Sequence, residues 1–89
     1  MTMGIWGADV QQLRALGKKL DNGGQTIDDQ RTQLTSALNG TQWMGPDADK
    51  FKNEWQSQHV PALNKVAEAL RTAGKSAAKN ATEQETASK

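Results

Sequence analysis

Residues 39–49, Asn39-Gly40-Thr41-Gln42-Trp43-Met44-Gly45-Pro46-Asp47-Ala48-Asp49, divide the chain into two amphipathic halves. Asn39-Gly40 carries a stop signal, because glycine is favoured just past the last turn of a helix. Pro46 with Asp47 and Asp49 carries a start signal: proline needs no N–H at the first helical position, and carboxylates suit the positive end of the helix dipole. The short stretch 40–45 is therefore left to reverse the chain between two helices.

Upstream of this stretch, Leu13, Leu20, Ile27 and Leu34 recur every seven residues, and a second line runs Val10, Gly17, Gly24, Arg31, Leu38. That period predicts an amphipathic helix over about 8–39, with a narrow apolar seam because nearly every other position is polar. Asp21-Asn22-Gly23-Gly24 competes as a turn, each glycine costing a helix about 1 kcal/mol relative to alanine. The register of Leu13 and Leu20 nevertheless continues unshifted through Ile27 and Leu34, which argues for continuity. Gly17 and Gly24 share one line of the seam, where a small residue admits a bulky side chain or another backbone.

Downstream, Ala48, Phe51, Trp55, Ala62, Leu63, Val66, Leu70, Ala73 and Ala77 follow helical spacing. The seam drifts where Pro61 sits, and an internal proline removes a hydrogen bond and clashes with the preceding turn, so a bend is expected near Gln58 to Pro61. The second helix is expected over about 46–79, with 80–89 as a flexible tail. The helix-interface core expected from both patterns is Val10, Leu13, Leu20, Ile27, Leu34, Leu38, Phe51, Trp55, Leu63, Val66 and Leu70. Trp6 precedes the first helix and is free either to staple onto it or to lie in a partner groove.

Eighty-nine residues make one small domain, yet only 35% are hydrophobic and 4% aromatic, and the mean hydropathy is −0.80. A two-helix antiparallel hairpin has a single internal interface and encloses no core of its own. The fold expected is therefore all-α, an antiparallel hairpin assembling as a dimeric four-helix bundle. Eleven Lys and Arg against ten Asp and Glu leave a formal net charge of +1, no footprint for nucleic acid or an anionic membrane. No apolar run approaches the roughly 20 residues of a membrane span. The first residues have neither the basic nor the apolar region of a secretory leader.

A catalytic centre is not expected. There is no cysteine and one histidine, His59, so a Cys/His-rich zinc site is not expected, no Ser/His/Asp arrangement can be argued from a single histidine on a helix beside Pro61, and His59 is expected half-buried on its helix. Asp28-Asp29 point in different directions on a helix and are expected on solvated faces, while Asp47 and Asp49 already have a role in the first turn. Gly23-Gly24 lacks the Lys-Ser or Lys-Thr of a phosphate loop. No metal or cofactor is expected. Phe51 and Trp55 are expected as packing rather than ligand-binding groups. Gly45 is expected either to cap the second helix or to take a conformation that a Cβ disfavours. Trp43 is expected both to close the bundle end and to leave one edge exposed.

Trp43-Met44-Gly45 in the interhelix turn, followed by Pro46-Asp47-Ala48 and by Phe51 and Trp55, in a cysteine-free chain of this size, resembles the WXG family. These are ESAT-like small helical-hairpin proteins of type VII (ESX/Yuk-type) secretion, and the resemblance covers about Ala8 to Lys79. It implies a helical dimer, with itself or with a related hairpin, exported folded and without a cleaved signal peptide by a membrane ATPase complex. The turn motif Trp43 and Gly45 would then face secretion machinery or a larger effector. The family's Tyr-x-x-x-Asp/Glu export element has no counterpart, because the chain contains no tyrosine. A cytoplasmic partner or chaperone of a larger type VII effector, or a coiled-coil adaptor unconnected with secretion, are the alternative expectations.

Overall fold

The computed structural model describes residues 9–87, and Trp6 lies outside them. Helix α1 spans Val10–Gly40 without a break. Helix α2 spans Pro46–Glu54 and passes through one π-helical turn, Trp55–His59, into α3, Val60–Ala87. No strand occurs among the described residues. Helices α1 and α3 pack along their length as an antiparallel hairpin, a rod measuring 64 × 18 × 15 Å.

Local chemistry accounts for the helix limits. Asp9 caps α1, its carboxylate accepting from the Gln12 N–H at 3.0 Å, so a donor that the helix cannot satisfy is paired. At the other end Gly40 is the last helical residue rather than a left-handed cap, and Thr41 leaves in an extended conformation. Helix α3 continues through Ala87 instead of giving way to a loose tail at 80. Ala81 is fully buried, and Arg14 on α1 makes a two-pronged ion pair with Glu85 at 2.9 and 3.1 Å, so the last turns have packing partners.

Gly23 and Gly24 sit within α1 because the tertiary contact needs them there. A Cβ built on Gly24 would lie 2.9 Å from the Ala67 carbonyl oxygen; one on Gly17 would lie 3.0 Å from that of Gly74, and one on Gly74 2.8 Å from that of Gly17. The helices thus meet backbone to backbone rather than by a bulky side chain entering a gap. The contact line is Gly17 and Gly24 on α1 against Ala67, Gly74 and Ala81 on α3, all buried.

This line displaces the expected core. Of those eleven residues only Trp55 is buried; Val10, Leu13, Leu20, Ile27, Leu38, Leu63 and Leu70 are half-buried. Leu34, Phe51 and Val66 are exposed, at 45%, 37% and 48%. The reason is geometric. The leucine line of α1 lies to one side of its glycine line, and reversing the chain direction puts Leu63, Val66 and Leu70 on that same side of α3. Leu70 accordingly lies beside Gly23, its Cδ1 3.5 Å from where a Cβ would be. The hairpin has one apolar flank and, across the contact line, one charged flank.

Asp28 lies on the charged flank and is half-buried, which corrects its placement on a solvated face. Its carboxylate accepts from Arg71 of α3 and, at 2.7 Å, from Arg31, which also donates to Asn64 of α3. The hydrogen bond from Arg71, aided by Arg31, holds the Asp28 carboxyl below the ordinary range against partial desolvation.

The π turn explains the drift of the second seam. The Val60 N–H bonds to the Trp55 carbonyl, a step of five residues. Buried positions therefore run Ala48, Trp55, and after the turn Ala67, Gly74, Ala81, with Val60 in register with the second set. Pro61 follows at once: it lacks an N–H, and its ring crowds the carbonyl four residues back, so widening the preceding turn relieves both problems. The distortion expected near Gln58 to Pro61 is thus a π turn centred slightly earlier.

Candidate interaction site

The turn end gathers most of the aromatic side chains. Gly45 has φ 118° and ψ 170°, a backbone state that side-chain-bearing residues rarely adopt, and it also stands at the N-cap of α2, its carbonyl accepting from the Asp49 N–H at 3.0 Å. Both roles expected of this glycine are therefore combined. Pro46 follows at the start of α2, with Asp47 and Asp49 in the first turn, and Ala48 is fully buried below them. We expect Gly45→Ala to lower stability by about 1–3 kcal/mol through backbone strain, since nothing lies within 4 Å of the added methyl to clash with it. Thermal denaturation followed by circular dichroism tests this, and an unchanged midpoint would show that the turn has an unstrained alternative.

Trp43 leans on this platform. Its ring centroid is 6.1 Å from that of Phe51, its backbone N–H donates to the Thr41 carbonyl at 2.9 Å, and its backbone carbonyl accepts from Lys52 Nζ at 3.2 Å. It remains 41% exposed, and Met44 beside it is 85% exposed. Trp43 also borders a groove of about 220 Å³ lined by Leu34, Ala37, Leu38 and Thr41. The indole therefore both packs over the end of α1 and presents an apolar edge.

Below Trp43 the aromatic groups continue along one face. Phe51 stacks on Trp55 at 6.2 Å, and His59 touches both, at 6.1 and 6.3 Å. Trp55 is 8% exposed and donates from Nε1 to Thr35 Oγ1 of α1 at 2.9 Å, so its one polar atom is satisfied on entering the hairpin. His59 is exposed, not half-buried. The π turn carries it out of the contact line while leaving its ring against Phe51 and Trp55.

Two pairings were not anticipated from the sequence. Arg31 occupies a seam position between Gly24 and Leu38, and a cation there requires a carboxylate nearby, the one sequence signal from which its pairing with Asp28 could have been read. The Thr35 hydroxyl opposite Trp55 had no such signal, because the partner lies twenty residues away and across the turn.

The arrangement is suited to surface recognition: an aromatic and methionine tip continuous with an apolar flank. Among the described residues no group of three His, Cys, Asp or Glu side chains is placed to hold a metal ion, and no helix is long and apolar enough to cross a membrane. No protein-family model matches the chain, and no curated protein or solved structure matches it significantly.

Proposed function

We propose that the chain is a non-enzymatic interaction protein of the WXG kind, a type VII secretion substrate or secretion-associated partner that pairs through its apolar flank into a four-helix bundle. The supporting observation is the turn itself: Trp43 and Gly45 occupy the reversal between two long helices, Gly45 in a glycine-favouring conformation, with Trp43 and Met44 presented outward. The pair is either two copies or this chain with a related hairpin; in both cases Leu16, Leu34 and Val66 leave water on pairing. A face of this rod offers on the order of 1,000 Å² per chain, about 2,000 Å² for a pair, the size of a stable interface.

The test is export from the native host. The chain is expected in the culture medium only while the secretion ATPase is active, and Trp43→Ala is expected to reduce its export severalfold while leaving the helical content intact. Export that persists without the ATPase would overturn the secretion assignment. The absence of tyrosine supports the second reading, a cytoplasmic partner of a larger effector that carries the export element. Retention in the cell together with a co-purifying longer protein would favour it, and neither export nor such a companion would leave the adaptor role.

A further inference from the structure

Two Asn-Gly pairs occur in this chain, Asn22-Gly23 and Asn39-Gly40, and the fold treats them differently. In such a pair the glycine amide nitrogen can attack the asparagine side-chain carbonyl carbon, because no Cβ shields it. A bond forms between that nitrogen and Cγ, the bond from Cγ to the side-chain nitrogen breaks, and ammonia leaves with the backbone amide proton. Water then opens the resulting cyclic imide at either carbonyl, giving aspartate or isoaspartate. The attack requires the asparagine to leave its helical conformation, so its rate follows the free energy of opening the helix at that point.

Opening differs sharply between the two sites. Asn22 is itself exposed, but Asn22-Gly23 lies in the middle of α1, with Leu70 against Gly23 and the Ala67 backbone against the neighbouring Gly24, so unwinding the helix there disrupts the contact between the helices. Asn39-Gly40 forms the final two residues of α1, both exposed, with nothing within 4 Å of a Cβ placed on Gly40. No left-handed residue caps this end, and Thr41 departs extended, so the last carbonyls lack the closing hydrogen bonds that hold a helix terminus.

We infer that Asn39 is a site of spontaneous deamidation in the folded protein, a slow covalent modification at the entrance to the Trp43 turn, while Asn22 is protected by the hairpin. Conversion places a carboxylate at the negative end of the α1 dipole, and the isoaspartate product lengthens the backbone just ahead of Trp43. The inference is independent of secretion.

The experiment incubates the full chain at mildly alkaline pH and follows each site by peptide mass spectrometry. In the folded protein Asn39 is expected to convert at least about tenfold faster than Asn22, and in denaturant the two rates are expected to converge. Gly40→Ala, whose methyl meets open space, is expected to slow conversion at Asn39 by about tenfold or more with unchanged circular dichroism. Equal rates at the two sites in the folded chain, an unreactive Asn39, or a Gly40→Ala variant that converts as fast would each overturn the inference.

Discussion

Gly74→Leu should abolish the close approach of α1 and α3 and lower the thermal midpoint by about 12–24 °C. Even the first added atom would lie 2.8 Å from the Gly17 carbonyl oxygen and 3.3 Å from the Asp21 nitrogen, both backbone atoms that no side-chain rotation can move. Relief requires the helices to separate, which uncovers Ala67, Ala77 and Ala81 along the same line. Overpacking of this kind costs about 3 kcal/mol or more, and at roughly 4–8 °C per kcal/mol for a chain of this size the midpoint falls by about 12–24 °C. Gly23→Ala, about one turn away along the same hairpin, should have the opposite sign. Its methyl would meet Leu70 Cδ1 at 3.5 Å, an ordinary contact, and replacing a helical glycine stabilises by about 0.5–1 kcal/mol. Melting curves at one fixed protein concentration check both, since association would otherwise shift the midpoint. A Gly74→Leu protein that melts with the parent would show that the helices do not touch along this line.

The second large effect concerns the apolar flank. Leu16 and Val66 are each 48% exposed in the hairpin, so converting both to aspartate should leave the fold of a single chain nearly undisturbed while preventing pairing. Each copy in a two-fold pair would lose two exposed aliphatic groups from the interface, about 1 kcal/mol apiece, so four sites together weaken association by about three orders of magnitude. Sedimentation or light scattering is expected to show a pair for the parent at micromolar concentration and a single chain for the variant. A parent that runs as a folded single chain under those conditions would remove the proposed bundle.

Much of the helical layout was legible in the order of residues. The heptad of Leu13, Leu20, Ile27 and Leu34, the stop at Asn39-Gly40 and the start at Pro46 are local signals, and they depend on backbone preferences that each segment carries by itself. The glycines were also legible, though only as positions of close approach. What approached them was not, since Gly17 and Gly24 are compatible with either a bulky side chain or a second backbone until Gly74 and Ala67 are brought opposite. The candidate site divided in the same way. Gly45 and the presentation of Trp43 followed from turn chemistry, whereas the bond from Trp55 to Thr35 and the outward turn of His59 depended on the π turn before Pro61.

By itself, then, the sequence determined two amphipathic helices, a glycine-dependent reversal between them and too little apolar material for a closed core. Tertiary structure alone decided which line of each helix faces inward. Narrow as each seam is, it carries a large-residue line beside a small-residue line, and the smallest side chains won the centre because helices that meet at glycine and alanine pack their backbones most closely. That choice moved Leu34, Phe51 and Val66 outward, onto the flank where a second chain is proposed to lie.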